Sequence, residues 1–129
     1  LMHGPTFMAN PMACAAANAS LDLFDREPIR ERVDAIEQKL QRTLPELGRL
    51  DGVREVRVRG ALGVVELDGR VRIDALRARF VEEGVWIRPL GRCVYLMPSF
   101  VISGSELDRL IDAIGVVLEE RERAGGLFD

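Results

Sequence analysis

Three places in this 129-residue chain combine residue types that do chemistry. Near the start, His3 precedes Gly4-Pro5-Thr6, a turn that can present backbone N–H groups and a hydroxyl, the equipment of a phosphate cradle. The same residues also read as a plain loop ahead of a helix. His3 has no carboxylate or cysteine beside it in sequence, so a structural role outweighs a catalytic one. Farther on, Arg88 closes the apolar stretch "VWIRP", just before Pro89. A guanidinium there either snorkels to solvent or faces a ligand carboxylate, a bidentate contact contributing about 1.5–3 kcal/mol. Arg92 and Tyr95 are nearby alternatives, and Trp86 and Tyr95 read as core or rim. Lastly, Lys39 is the single lysine beside 17 arginines, so one side-chain amine is present for any Schiff-base chemistry.

Other chemistries are poorly supplied. Two cysteines, Cys14 and Cys93, and one histidine make no zinc set. They read as free thiols of a cytosolic protein. A net charge of −3 with scattered arginines gives no basic stripe for nucleic acid. No apolar run approaches the roughly 20 residues that span a bilayer, and no secretory leader is visible. The expected site therefore has no catalytic residue and no metal ligand of its own.

The elements that must carry these residues follow from periodicity. Asn10-Pro11 is a helix start, the Asn capping open N–H groups and Pro fitting the first turn. The alanine-rich helix runs to about Phe24, and its small residues predict burial against neighbours. A second helix, about Ile29 to Leu44, puts Val33, Ile36, Leu40 and Leu44 on one stripe. Val56 and Val58 alternate with charged residues, predicting a half-exposed strand, and "ALGVVEL" (61–67) a more buried one before Asp68-Gly69. Asp74 is the expected cap of a third helix carrying Leu76 and Phe80 and ending at Gly84. "VWIRP" and "CVYLMP" read as two short strands joined around Gly91. Ser103 or Ser105 starts a last helix with Leu107, Leu110, Ile111, Ile114 and Leu118 inward. Arg54, Arg57, Arg59, Arg70 and Arg72 read as a solvated sheet face, and "RAGGLFD" as a frayed tail. The fold class is α+β, a mainly antiparallel sheet with helices packed on one side.

Taken together, "HGPTFMANPMACAAANASL", "VRVRGALGVVEL", "GVWIRPLGRCVYLMPSF" and the final helix resemble the C-terminal portion of class III pyridoxal-phosphate aminotransferases. Within that family, "HGPTFMANP" with "GVWIRP" resembles the adenosylmethionine–8-amino-7-oxononanoate aminotransferases of biotin synthesis. The resemblance covers essentially the whole chain and implies the C-terminal small domain of a fold-type-I pyridoxal 5'-phosphate enzyme. Residues 1–9 would be a phosphate-clamp turn and 10–129 the C-terminal aminotransferase domain. Pro5 and Thr6 would hold the cofactor phosphate of a neighbouring subunit in a cytoplasmic homodimer with shared sites. Gly4 would meet substrate through its backbone, and Arg88 would bind a substrate carboxylate. The implied reaction passes an amino group from S-adenosylmethionine to 8-amino-7-oxononanoate, giving 7,8-diaminononanoate.

One departure limits what the resemblance implies for this chain. The family's cofactor-binding lysine would precede Leu1, and so would the aspartate that pairs with the pyridine nitrogen. Lys39 matches no motif position and reads as a surface lysine. The chain opens in mid-phrase, as though inside a longer one, and is expected to be inactive alone. The competing expectations are a free-standing α+β binding module without catalysis and a fragment of another class III ω-aminotransferase.

Overall fold

The computed structural model describes residue 4 and residues 6–69 and 71–120, in two compact units, Leu1–Glu31 and Arg32–Asp129. His3, Pro5, Arg70 and the tail 121–129 lie outside the described residues.

The first unit is a turn and a helix, α1 (Pro11–Arg26), followed by the opening residues of α2. Asn10 caps α1 as its sequence predicts: the side-chain oxygen accepts from the Ala13 N–H at 3.1 Å, with Pro11 in the first turn. At the other end the Arg26 Nε donates to the Asp22 carbonyl at 3.1 Å, a cation placed where the helix dipole favours one. The expected burial of the small-residue face is not met, since α1 buries none of its residues. Met12, Leu21, Leu23 and Phe24 are all exposed. A single helix has no second layer to cover it, and an alanine face needs one.

The second unit has a core. The helix α2 (Ile29–Thr43) continues into a 3₁₀ helix, Leu44–Arg49, and the stripe Ile36, Leu40, Leu44 and Leu47 is buried. Pro45 explains the change, because its ring cannot extend an α-helix and is tolerated in the first turn of a new one. Two strands follow, β1 (Val53–Arg59) and β2 (Leu62–Leu67), joined by a tight turn in which Gly60 takes φ +55°, a left-handed conformation glycine adopts without strain. Next come α3 (Ile73–Glu82), β3 (Cys93–Leu96) and α4 (Gly104–Glu119). The sheet order is β1-β2-β3, fully antiparallel. Val65 and Leu67 of β2 and Val94 and Leu96 of β3 turn inward, against Leu76 and Phe80 of α3 and the apolar side of α4. Each such side chain contributes about 1.5–3 kcal/mol when fully buried. The α+β class holds.

Three details differ from expectation. Asp74 is not the cap of α3: the helix begins at Ile73, and Asp74 sits in its first turn, paired with Arg77 at 3.2 Å. "VWIRP" is not a strand. It alternates buried and exposed like one, yet its sole ladder contact is the Leu90–Cys93 bridge closed around Gly91. Pro89 has no N–H to give a ladder. The sheet therefore has three strands instead of four. The last helix is capped by Ser103, whose hydroxyl accepts from the Glu106 N–H while the Glu106 carboxylate accepts from the Ser103 N–H at 2.8 Å.

The closest approach in this core is at Gly63 in β2. A Cβ there would lie 2.8 Å from Leu44 Cδ2 and 3.4 Å from Leu40 Cδ2, both in fully buried side chains. Helix and sheet meet at that distance only because the residue is glycine. Gly63→Ala should therefore destabilise the chain by about 1–3 kcal/mol through overpacking. Chemical denaturation is the check: the midpoint should fall with the slope unchanged.

Candidate functional site

The Gly4-to-Thr6 turn lies in the first unit. Both of its described residues are exposed, and a turn at residues 6–9 leads into the Asn10 cap. A Cβ on Gly4 would meet nothing within 4 Å, so no packing within this chain calls for glycine there. Ala9 takes φ 57°, a left-handed conformation that costs an L-residue about 1–2 kcal/mol. Across that turn runs one backbone bond, from Asn10 N–H to the Phe7 carbonyl at 3.3 Å. An exposed hydroxyl and open backbone beside a helix start suit an approaching anion. The phosphate end of a cofactor is what these residues fit.

Arg88 lies in the second unit, on the extended segment 85–90 between α3 and the Gly91 turn. Its position follows from alternation. Val85, Ile87 and Pro89 are buried, which leaves Trp86, Arg88 and Leu90 outward. With its neighbours inserted in the core, the Arg88 backbone is fixed while its side chain reaches solvent. Among the described residues Arg88 makes no hydrogen bond or ion pair.

The alternatives to Arg88 are differently placed. Arg92 donates to Glu66 Oε1 at 3.3 Å. Glu66 also accepts from Arg57 at 2.8 Å and lies 3.6 Å from Arg54, while Arg57 reaches Glu55 as well. The sheet's outer face is thus a network of arginines around one largely covered carboxylate. The Arg57 hydrogen bond holds the Glu66 carboxyl below its ordinary range, and the charges of Arg57, Arg54 and Arg92 add to that effect. A guanidinium already engaged with carboxylate is a poorer ligand for another. Tyr95 is half-buried in β3 opposite Val64.

Lys39 is not the surface residue that its charged helix implies. Its side chain is 23% exposed, and Nζ donates to Asp108 Oδ2 at 2.6 Å, tying α2 to α4. Periodicity within α2 cannot reveal a partner 69 residues away. The amine is occupied as a cross-link. Cys14 and Cys93 are both free, and the described residues contain no cluster of His, Cys, Asp and Glu fit for a metal. No helix among them is long and apolar enough to cross a membrane.

Sequence reasoning did not find the clefts beside Arg88. One, of about 240 Å³, is lined by Trp86, Arg88, Tyr95, Met97 and Leu110 among others. A larger one, of about 460 Å³, lies on the other side of Trp86 and runs to Val101 and Arg109. The signal was present as paired outward positions, Trp86 with Arg88 and Tyr95 with Met97, two residues apart on each segment.

The aminotransferase class-III family matches residues 1–118. The chain belongs to that family. An adenosylmethionine-8-amino-7-oxononanoate aminotransferase of Corynebacterium glutamicum is 41% identical over 88% of this chain, and that of Saccharomyces cerevisiae is 38% identical over 92%. This chain spans 27% and 26% of those relatives, about a quarter of their length. Among solved structures, the enzyme of the same name from Methanocaldococcus jannaschii aligns with a TM-score of 0.79 at 28% identity, over 93% of this chain and 30% of that one. The ornithine aminotransferase of Toxoplasma gondii aligns with 0.78 at 27%, over 94% and 29%. The α+β arrangement is therefore that of a part of the fold-type-I transaminases. Family members are pyridoxal-phosphate enzymes.

The Glu66 network makes the stability of this unit depend on pH in a defined direction. Unfolded, Glu66 titrates near the ordinary value of about 4.3, and folded it titrates lower. Its contribution is complete above that ordinary value and is lost as pH falls through the lowered one. A Glu66→Gln variant should thus be less stable than the parent at pH 7, with the gap closing below about pH 4. Denaturant melts of both proteins across pH 3–7 check this, and a gap that persisted at the acid end would remove the assignment.

Proposed function

We propose that this chain is the C-terminal part of a biotin-pathway aminotransferase that moves an amino group from S-adenosylmethionine to 8-amino-7-oxononanoate. The product is 7,8-diaminononanoate, its C7 ketone replaced by an amine. The observation that carries this reading is 41% identity over 88% of the chain to a relative bearing that activity in its name. The activity belongs to the longer protein, which would be a cytoplasmic homodimer with shared sites.

Each residue has a binding role in this reading. Thr6, with Pro5, holds the phosphate of pyridoxal phosphate through its hydroxyl and the adjoining backbone N–H groups, reaching into the site of a neighbouring subunit. Gly4 meets substrate with its backbone, an assignment supported by the open space around its α-carbon. Arg88 takes a substrate carboxylate, and its lack of a partner among the described residues favours it over Arg92. Bound pyridoxal phosphate supplies the electron sink for amino transfer. This chain offers no lysine for it, because Lys39 is held by Asp108. The chain alone is accordingly inactive.

A second reading, another class III transaminase, is favoured by the likeness to the ornithine aminotransferase, nearly as close as that to the enzyme from Methanocaldococcus. Donor preference separates the two. The longer protein, supplied with 8-amino-7-oxononanoate, should turn over with S-adenosylmethionine and not with ornithine or simple ω-amino acids. Arg88→Ala in that protein should raise KM for the carboxylate substrate by about 10- to 100-fold with the cofactor spectrum unchanged. Turnover with ornithine alone would transfer the assignment to the second reading.

A further inference from the structure

The chemistry beside Arg88 extends past a single charge. The segment 85–90 runs along the open edge of β3, the outermost strand on that side of the sheet. Between them lies the 240 Å³ cleft, and Arg88 is at its margin. Its apolar surface comes from Trp86, Tyr95, Met97, Pro98 and Leu110. Trp86 is 69% exposed and Met97 72%, so two large apolar groups face water beside an arginine that has no partner among the described residues. A small polar carboxylate would use the arginine and leave those surfaces wet. A carboxylate on an aliphatic chain would use both, burying methylenes on an indole and a thioether.

We propose that Trp86 and Met97 are specificity-determining residues, forming the apolar wall on which the methylene chain of an Arg88-bound monocarboxylate lies. This rests on the reading of Arg88 as the carboxylate ligand and adds the substrate class to it: a long unbranched aliphatic acid, not a short or doubly charged one. Alternation enforces the pairing. Trp86 and Arg88 are two residues apart on an extended segment, and burial of Val85, Ile87 and Pro89 holds both outward. Tyr95 and Met97 are outward on the facing strand for the same reason, with Val94 and Leu96 buried between and beside them. The nine-carbon acid in the names of the relatives is of this class.

The test is a calorimetric titration of the longer protein, cofactor loaded, with saturated monocarboxylates from pentanoate to nonanoate. Affinity of the parent should rise about two- to fourfold with each added methylene. Trp86→Ala and Met97→Ala should each flatten that slope, cutting the nonanoate-to-pentanoate ratio by about tenfold, whereas Val101→Ala, outside this cleft, should keep it. Arg88→Ala should weaken all lengths together. If Arg88→Ala weakens every acid but both wall variants keep the parental slope, the proposed wall is wrong and the carboxylate site stands. If Arg88→Ala binds every acid as the parent does, or the parent binds none, the carboxylate reading falls and takes this inference with it.

Discussion

Insertion of Ile87 and Pro89 into the core of the second unit governs where the chemistry of that unit can be. Ile87 is 3% exposed, and the two residues bracket Arg88. An extended chain sends successive side chains to opposite sides, so burying both neighbours leaves the guanidinium one direction. Hydrophobic burial thus positions a charge without any bond to it. Binding sites gain from such an arrangement, because a salt bridge that oriented the arginine would also compete with its ligand. Arg92, four residues on, shows the contrast: it is held by Glu66 and so already has its carboxylate.

The core that receives Ile87 depends in turn on how closely helix and sheet approach. Gly63 lets Leu40 and Leu44 lie on β2, and the Lys39–Asp108 pair joins α2 to α4 beside that contact. On α3, Arg79 binds Glu82 and Glu83 of its own helix and Glu120 at the end of α4. These ion pairs lie at the boundary of the core, where they set which helix faces meet while the apolar side chains supply most of the stability. The first unit has no such core. Its turn and its exposed alanine helix offer capping, open backbone and a hydroxyl, which are means of contact with something else.

Much of this was legible in local pattern. The stripe Ile36, Leu40 and Leu44, the Val56–Val58 alternation, the Asn10 cap and the helix from Ser103 all follow from spacing and cap chemistry, and the structure has them. Errors arose where a distant or absent partner decides. Lys39 reads as exposed because Asp108 is invisible from α2. The alanine helix reads as buried because composition cannot say whether a covering layer is near. "VWIRP" has the burial pattern of a strand, yet ladder formation needs an N–H that Pro89 lacks. Arg88 was legible as a candidate, but the cleft beside it was not, since it is made by two segments that meet only after folding.

The central claim is that this chain binds the ends of ligands, phosphate through its N-terminal turn and carboxylate through Arg88, and lacks a cofactor-bonding amine of its own. Titrating the 129-residue polypeptide with pyridoxal phosphate, followed by absorbance, borohydride reduction and intact mass, tests it most directly. The account predicts no saturable, reducible complex, because Lys39 is held against Asp108. A stoichiometric adduct on Lys39 would contradict it, since this chain would then build a complete cofactor site.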